Sequence, residues 1–352
     1  VIEDGITVIG DHFFDGATKL TSVTLPNTLK TICTRAFRDC NGLTSIRIPD
    51  SVAIIREAAF YYCQNLKEVT FGSGLKIIET YAFEGCMLLE NFDLPEGLET
   101  IGGRAFSLCN SLTEVTIPAS VEFATGFSDC SNLTTVNLYN ENIGTHAFYE
   151  CRNLQNLNFF GTLASIGNSA FQGCVSLTEI TIPETVTYLG SNAFAVCEGL
   201  EKVTLNNPGV VESEAFYSCD NLTDLVIGDQ VTIIGDHAFA FCETLETVTF
   251  PESLQSLESY AFGFCYALEE ITFQGDAPDI APDAFTVVTA TAYYPRNNST
   301  WTEDMFQNYD GELTWIPAHA HEWADGGPVY DAATHTHKQD CLICDIDQVE
   351  GC

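Results

Sequence analysis

The stretch LTSIRIPDSVAIIREAAF (Leu43–Phe60) contains one complete structural unit of this chain. Ile46 and Ile48 alternate with polar residues, and period-two alternation rich in β-branched residues predicts a short strand. Pro49 follows, and proline ends a strand because it has no N–H to donate to the ladder. The chain then turns back through Ile55 and closes on an Ala-Phe pair.

The closing phenylalanine returns at nearly constant spacing along the chain. Nine of the twelve steps between copies are 23 residues, two are 21 and one is 22. A fixed period in the twenties is typical of a solenoid, in which each repeat stacks on the one before it. The thirteen copies are Phe14, Phe37, Phe60, Phe83, Phe106, Phe127, Phe148, Phe171, Phe194, Phe216, Phe239, Phe262 and Phe285.

The repeat therefore predicts an α/β-type repeat solenoid that is mostly β and irregular. We expect a parallel β-sheet on one face and short turns or helical segments on the other. Residues 1–290 form the solenoid, with about 13 repeats, and residues 291–317 form a C-terminal cap. In the cap, a capping box from Thr300 to Glu303 predicts one short helix, and a last strand follows at 311–317. Residues 318–352 are a Cys/His-containing tail, expected to be truncated.

The composition excludes several classes of partner. The chain has 13 basic and 49 acidic residues, a net charge of −36, and such a field repels nucleic acid. No apolar run approaches the roughly 20 residues of a membrane span, so we expect no membrane insertion in this fragment. The sequence shows neither a starting Met nor a signal peptide, so we interpret it as a mature or trimmed fragment whose export signal and anchor are not present.

Eleven of the fifteen cysteines lie three residues after a repeat phenylalanine. They form either a disulfide or metal ladder, or a column of buried thiols that act as small apolar residues. The equivalent positions in the first and last repeats hold Ala17 and Val288, which favours the structural column. Stacking at about 4.8 Å also exceeds the Cβ separation of a disulfide. The column comprises Cys40, Cys63, Cys86, Cys109, Cys130, Cys151, Cys174, Cys197, Cys219, Cys242 and Cys265.

The unit L-x-x-V-x-L-P-x-x-V-x-x-I-G-x-x-A-F-x-x-C resembles the BspA-like leucine-rich-repeat family of cell-surface proteins, over roughly residues 5–290. The resemblance implies a right-handed leucine-rich-repeat solenoid that is exported to the surface of host-associated microbes. It also implies adhesion or binding of host components. The family has no catalytic residues to transfer to this chain.

The pattern changes in the middle of the chain, in a segment we call the central break (residues 107–171). The steps to Phe127 and Phe148 are each two residues short, and Tyr139 and then Phe160 replace the proline that ends the strand. The amides Asn137, Asn156 and Asn158 lie nearby. Aromatic rings beside amides can stack on and hydrogen-bond a sugar or a partner loop. The alternative is a tolerated deletion whose aromatic residues fill space.

A second aromatic group, Phe241, Phe264 and Tyr266, is either an apolar contact patch or extra core packing.

Catalysis is not expected. The only histidines of the solenoid are His12, His146 and His237, and the last two lie four coils apart, about 20 Å at the stacking distance. The sequence contains no phosphate loop, nucleophile elbow or paired-histidine zinc motif. We predict a protein that is not an enzyme and requires no cofactor.

The tail has a different chemistry. His321, His337, Cys341 and Cys344 are residue types that zinc selects at short spacing. A zinc site, a disulfide among the tail cysteines and a loose tail all remain open.

The resemblance, together with these observations, implies an extracellular or cell-surface binding and adhesion protein that recognises host proteins or glycans through its solenoid surface. The alternative is a structural spacer that presents another module and has no ligand of its own. We expect a monomer, because the stack satisfies its own core positions.

Overall fold

A computed structural model describes residues 1–318 and the backbone of residues 330–331 and 336–337. The strands are β1 (Val8–Ile9), β2 (Thr31–Ile32), β3 (Ser45–Arg47), β4 (Ile54–Ile55), β5 (Glu68–Thr70), β6 (Ile77–Ile78), β7 (Thr100–Ile101), β8 (Glu114–Ile117), β9 (Thr135–Leu138), β10 (Asn142–Ile143), β11 (Asn156–Phe159), β12 (Ser165–Ile166), β13 (Glu179–Ile182), β14 (Tyr188–Leu189), β15 (Lys202–Leu205), β16 (Gly209–Val211), β17 (Asp224–Ile227), β18 (Val231–Ile234), β19 (Thr247–Phe250), β20 (Ser256–Leu257), β21 (Glu270–Phe273), β22 (Asp279–Ile280), β23 (Thr289–Pro295), β24 (Glu312–Ala318), β25 (Tyr330–Asp331) and β26 (Thr336–His337).

Strands β1–β24 stack into a parallel β-solenoid of about 14 turns, whereas β25 pairs antiparallel with β26 in a separate sheet. The alternating segment of each repeat forms the first face, with sheets in the order β3-β5, β8-β9-β11, β13-β15-β17 and β19-β21-β23-β24. The return segment forms the second face, with sheets β1-β2-β4-β6-β7, β10-β12-β14 and β16-β18-β20-β22. Equivalent residues pair in register, for example Ile46 with Val69 and Thr181 with Thr204.

The third side, which we call the turn side, contains the repeat phenylalanine and is not helical, so the α/β label and the expected helical segments are wrong. Arg35 and Asp39 both have φ of 55°, a left-handed conformation that an α-helix cannot contain. The N–H of Phe37 donates to the carbonyl of Ala59 in the next coil (2.7 Å), and that of Arg38 donates to Arg35 (3.2 Å). Because alternate amides bond between coils, they are not available for i→i−4 bonds.

The core is a stack of phenylalanine rings. Each ring from Phe14 to Phe285 stacks on the next, with centroids 4.9–6.1 Å apart. Nearly all of these rings are fully buried, and burying one such side chain stabilises a fold by roughly 1.5–3 kcal/mol. The repeat phenylalanine is therefore the main apolar contact between neighbouring coils.

The eleven repeat cysteines are buried, unpaired thiols. The Sγ of Cys63 donates to the carbonyl of Phe37 in the preceding coil at 3.0 Å, and that carbonyl also accepts the N–H of Cys40 at 3.2 Å. The other ten thiols make the equivalent contact at 3.1–3.6 Å. Burial raises the pKa of Cys40 to about 11 and that of Cys197 and Cys265 to about 12.

The C-terminal end of the core is covered by β24, which pairs with β23, and by the buried ring of Trp301. Among the described residues of the cap, the expected short helix is a 3-10 helix at Glu303–Met305, and its N-cap is Thr302 and not the Thr300 of the expected capping box. The hydroxyl of Thr300 donates to Asn298 Oδ1 (2.7 Å) and accepts the N–H of Ala277 (2.9 Å). These bonds occupy the side chain that the capping box would have used.

Candidate binding site at the central break

The structure brings the predicted aromatic pair together on the surface. Tyr139 directly follows β9 and Phe160 directly follows β11. Their rings stack with centroids 4.9 Å apart and an interplanar angle of 17°. Tyr139 is 45% exposed and Phe160 is 58% exposed, whereas the proline at the same place in an ordinary coil, Pro118, is buried. We call this stacked, exposed pair the aromatic platform; it is open to solvent and does not fill the core.

The predicted amides form a ladder beside this platform. The Nδ2 of Asn158 donates to Asn137 Oδ1 (2.9 Å), and the Nδ2 of Asn137 donates to Glu114 Oε1 (2.8 Å). The Nδ2 of Asn156 donates to Thr135 Oγ1 (3.2 Å). Within the described part of the chain, the Oδ1 atoms of Asn156 and Asn158 accept no hydrogen bond. The ladder thus ends in acceptors that a ligand can use.

Sequence reasoning missed a gap in the first face next to this platform. β11 pairs with β9 but not with β13, and no backbone hydrogen bond of the described residues joins β11 to β13. Leu157 and Phe159 point inward yet are only partly buried. In every other coil at least one of the two equivalent inward residues is buried. The sequence signal for this place is the pair of shortened coils directly before it, because a phenylalanine at the position of Phe159 also occurs in a closed coil, as at Phe250.

A second feature, also missed, is a cleft of about 480 Å³ on the second face. The coil of Phe127 lacks two residues after Ala124, so its return strand shrinks to a single bridge between Ala124 and Ile143. Phe123 is left 47% exposed and lines the cleft together with Glu99, Glu122, Thr125 and Tyr188. The two-residue deletion is the sequence signal that marks this place.

Hydrogen bonds fix the walls of the cleft. The hydroxyl of Thr125 donates to the carbonyl of Ile101, and the hydroxyl of Tyr188 donates to Asn168 Oδ1 at 2.7 Å. Glu99 pairs with Lys76 at 3.0 Å, which leaves Glu122 as the carboxylate of the cleft with no ion pair among the described residues. The cleft is a mostly apolar recess that contains two aromatic rings and the Glu122 carboxylate.

The turn-side aromatic group is only partly assembled. Phe241 and Phe264 stack with centroids 4.5 Å apart and are half-buried, whereas Tyr266 is 58% exposed. Tyr266 therefore matches Phe160 in exposure but lies away from the central break, which makes it a suitable control.

The four predicted zinc ligands are not placed by the structure. His321, Cys341 and Cys344 lie outside the described residues, and His337 is described only as backbone in β26. Among the described residues, no group of three or more His, Cys, Asp or Glu side chains is disposed to hold a metal ion. The zinc site in the tail stays a prediction.

Comparison with protein families gives one decisive match. The model of the BspA type leucine-rich-repeat region matches in six copies over residues 7–134, 123–211 and 209–320. The chain belongs to the BspA-type leucine-rich-repeat family. Leucine-rich-repeat proteins are generally protein-interaction modules and form a non-enzymatic class. No curated protein sequence matches the chain.

Solved structures of bacterial leucine-rich-repeat proteins are similar to the chain. A leucine-rich-repeat protein from Bacteroides ovatus is 25% identical, covers 82% of this chain and 88% of its own, and superposes with a TM-score of 0.49. A leucine-rich cell-surface protein from Faecalibacterium prausnitzii is 25% identical over 81% of this chain and 83% of its own, with a TM-score of 0.38. The leucine-rich-repeat protein of T. pallidum is 31% identical over 47% of this chain and 81% of its own, with a TM-score of 0.41.

None of the helices in the described residues has the length and apolar character needed to cross a membrane.

Proposed function

We propose that this family member is an extracellular or cell-surface binding protein that attaches to host proteins or glycans through the central break. The observation that supports this most directly is the stacked, exposed pair of Tyr139 and Phe160 beside the amide ladder of Asn137 and Asn158. Exposed aromatic rings beside hydrogen-bonding groups stack on sugar faces and on partner side chains.

The regularity of the remaining coils gives the platform its significance. In a solenoid whose residues serve only to stack the coils, similar residues recur at each position, and proline is the commonest residue after the strand of the first face. Two adjacent coils replace it with aromatic residues that are half-exposed. Exposing two large rings costs solubility, so a contact that buries them is a physical reason to place them there.

The setting outside the cell follows from the export that the family resemblance implies. The net charge of −36 favours solubility and disfavours nucleic acid and anionic membranes as partners. The stack buries its own core, so we propose a monomer that presents the platform to a separate partner.

The test is binding of the purified chain to arrayed extracellular-matrix proteins, mucins and glycans at physiological salt. We expect saturable binding that the double variant Tyr139→Ala, Phe160→Ala reduces by about tenfold or more, the equivalent of roughly 1.4 kcal/mol. The matched control is Tyr266→Ala, which removes an equally exposed ring elsewhere and leaves binding unchanged.

Binding that survives the double variant would move the site away from the aromatic platform. Binding to no arrayed component would favour the spacer, in which the solenoid only separates another module from the cell.

A further inference from the structure

We propose that the free edge of β11 accepts an extended, basic peptide segment of a partner protein as an added β-strand. This inference rests on the proposed function and specifies the partner of the same site. Adding a strand to an open sheet edge is a recurring mode of peptide recognition, in which backbone hydrogen bonds supply affinity.

The backbone geometry of β11 shows which groups are available. The N–H of Asn156 donates to Thr134 (2.9 Å) and that of Phe160 donates to Leu138 (2.8 Å), so these residues face the preceding coil. In a parallel sheet alternate residues face opposite neighbours, so the backbone groups of Leu157 and Phe159 face β13. They have no backbone partner there among the described residues.

Comparison with an ordinary coil shows which backbone hydrogen bond β11 lacks. Ile48 occupies the place equivalent to Phe159, and its N–H donates to the carbonyl of Thr70 in the next coil at 2.8 Å. The corresponding acceptor for Phe159 is Thr181 in β13, and this bond is not made. An unpaired row of strand N–H and C=O groups is a template for another strand.

The gap differs from another interruption of the same face. β17 and β19 also lack strand pairing, yet Leu225 and Ile227 remain buried there. The hydroxyl of Thr244 spans that junction and donates to the carbonyl of Leu222 (3.1 Å). At the junction of β11 with β13 the hydroxyl of Thr185 donates to the carbonyl of Leu163 (2.6 Å), beyond the ends of both strands, yet Leu157 is partly exposed. β5 also has no strand partner on its far side, and Phe71 and Phe92 are partly exposed there, but Val69 and Leu94 remain buried. What distinguishes the β11 edge is that both of its inward side chains are accessible beside the free backbone groups.

The acidic residues around the gap indicate that the added peptide strand is basic. The segments 134–143, 154–166 and 177–189, which surround the gap, contain Glu141, Glu179 and Glu184 and no lysine or arginine. All three glutamates are exposed. A strand that alternates apolar residues with Lys or Arg would place its apolar side chains on Leu157 and Phe159 and its cations toward the carboxylates.

The experiment measures binding of synthetic peptides of about eight residues, in which Lys or Arg alternates with Val, Ile or Phe, to the full chain. We expect saturable binding that weakens as salt is raised. N-methylation of alternate peptide residues, which removes backbone donors and keeps the side chains, should weaken binding by about tenfold or more, the equivalent of one or two hydrogen bonds.

The protein variant is Leu157→Pro, which removes an edge N–H that makes no hydrogen bond in the free chain. Proline is tolerated at such unpaired edge positions. The matched control is Leu225→Pro, which removes the equivalent N–H at the other unpaired junction, between β17 and β19, where the inward side chains are buried. We expect about tenfold weaker peptide binding for Leu157→Pro and unchanged binding for Leu225→Pro, with circular dichroism verifying the fold of both.

Peptides that do not bind, or that bind equally well when N-methylated and to Leu157→Pro, would overturn the added strand. If the arrayed ligand is a glycan whose binding is lost in the Tyr139→Ala, Phe160→Ala variant and the peptides do not bind, the proposed function stands and this inference is wrong.

Discussion

At the scale of single residues, the repeat cysteine shows what spacing can and cannot predict. The occurrence of Ala17 and Val288 at the same position indicates a small apolar residue in the core. The thiol also donates to a phenylalanine carbonyl one coil away, as Cys151 does to Phe127 at 3.1 Å. That contact depends on the register between coils, which a single sequence does not contain.

The substitution Cys151→Ala should lower the free energy of unfolding by about 1–2 kcal/mol, because it removes a buried thiol, its contact and part of its volume. Urea titration followed by circular dichroism measures this change. Cys33→Ala is the control, since Cys33 is half-buried and outside the column, and it should change stability by less than about 0.5 kcal/mol. Equal effects of the two variants would mean that the column has no special stabilising role.

The buried thiols also predict a loss of stability at alkaline pH. Burial raises the pKa of Cys40 to about 11 and that of Cys197 to about 12, above the ordinary value of 9.0. Below pH 9 the thiols are protonated in both states and their contribution is complete. Above that pH the unfolded chain releases protons that the folded chain retains, so each such thiol lowers stability by about 1.4 kcal/mol per pH unit. Burial raises the pKa of Tyr309 as well, which acts in the same direction.

Urea titrations under reducing conditions from pH 8 to pH 11 measure this dependence, with the ordinary thiol value of 9.0 inside the range. The variant Cys197→Ala should reduce the slope of unfolding free energy against pH by about 1.4 kcal/mol per pH unit, the contribution of one proton. A free energy of unfolding that stays flat across the range would contradict the burial of the column.

At the scale of elements, the strands were predictable and the turn side was not. Alternation in segments such as Glu179–Ile182 marks a strand directly, because every second side chain is buried. The turn side depends on residues in the left-handed backbone conformation, such as Arg104 and Glu150. No pattern of side chains predicts this conformation. The aromatic pair could be predicted because proline was replaced twice. The open junction of β11 with β13 could not, because it depends on how two coils contact each other.

The shortened coil depends on Gly126, which makes the clearest test at this scale. Gly126 has φ of +94°, and a Cβ there would lie 2.8 Å from the carbonyl oxygen of Gly102. Gly126→Ala should therefore destabilise the chain by about 1–3 kcal/mol or more through backbone strain and this close approach. Gly103→Ala is the control, because a Cβ at Gly103 meets nothing within 4 Å. Thermal melts of both variants measure the difference, and similar melting temperatures would show that the short coil relaxes around the new methyl group.

At the scale of the whole molecule, the core of the stack is continuous although its outer sheets are interrupted at several junctions. The Phe14–Phe285 stack continues through the central break, with the Phe127 and Phe148 centroids 5.7 Å apart, while the outer sheets open. A repeat solenoid is stabilised mainly by contacts between neighbouring coils. A continuous core therefore permits an irregular surface, and the proposed binding site lies in the middle of this stack.

Amide hydrogen exchange on the free chain, resolved to single residues, tests the open edge of β11 most directly. Phe159 and Ile48 occupy equivalent places in their repeats, but only the N–H of Ile48 has a carbonyl partner in the next coil, that of Thr70 at 2.8 Å. We predict that the Phe159 amide exchanges about a hundredfold or more faster than the Ile48 amide. Equal protection of the two amides would show that β11 and β13 are closed in solution, and would contradict a binding edge at the central break.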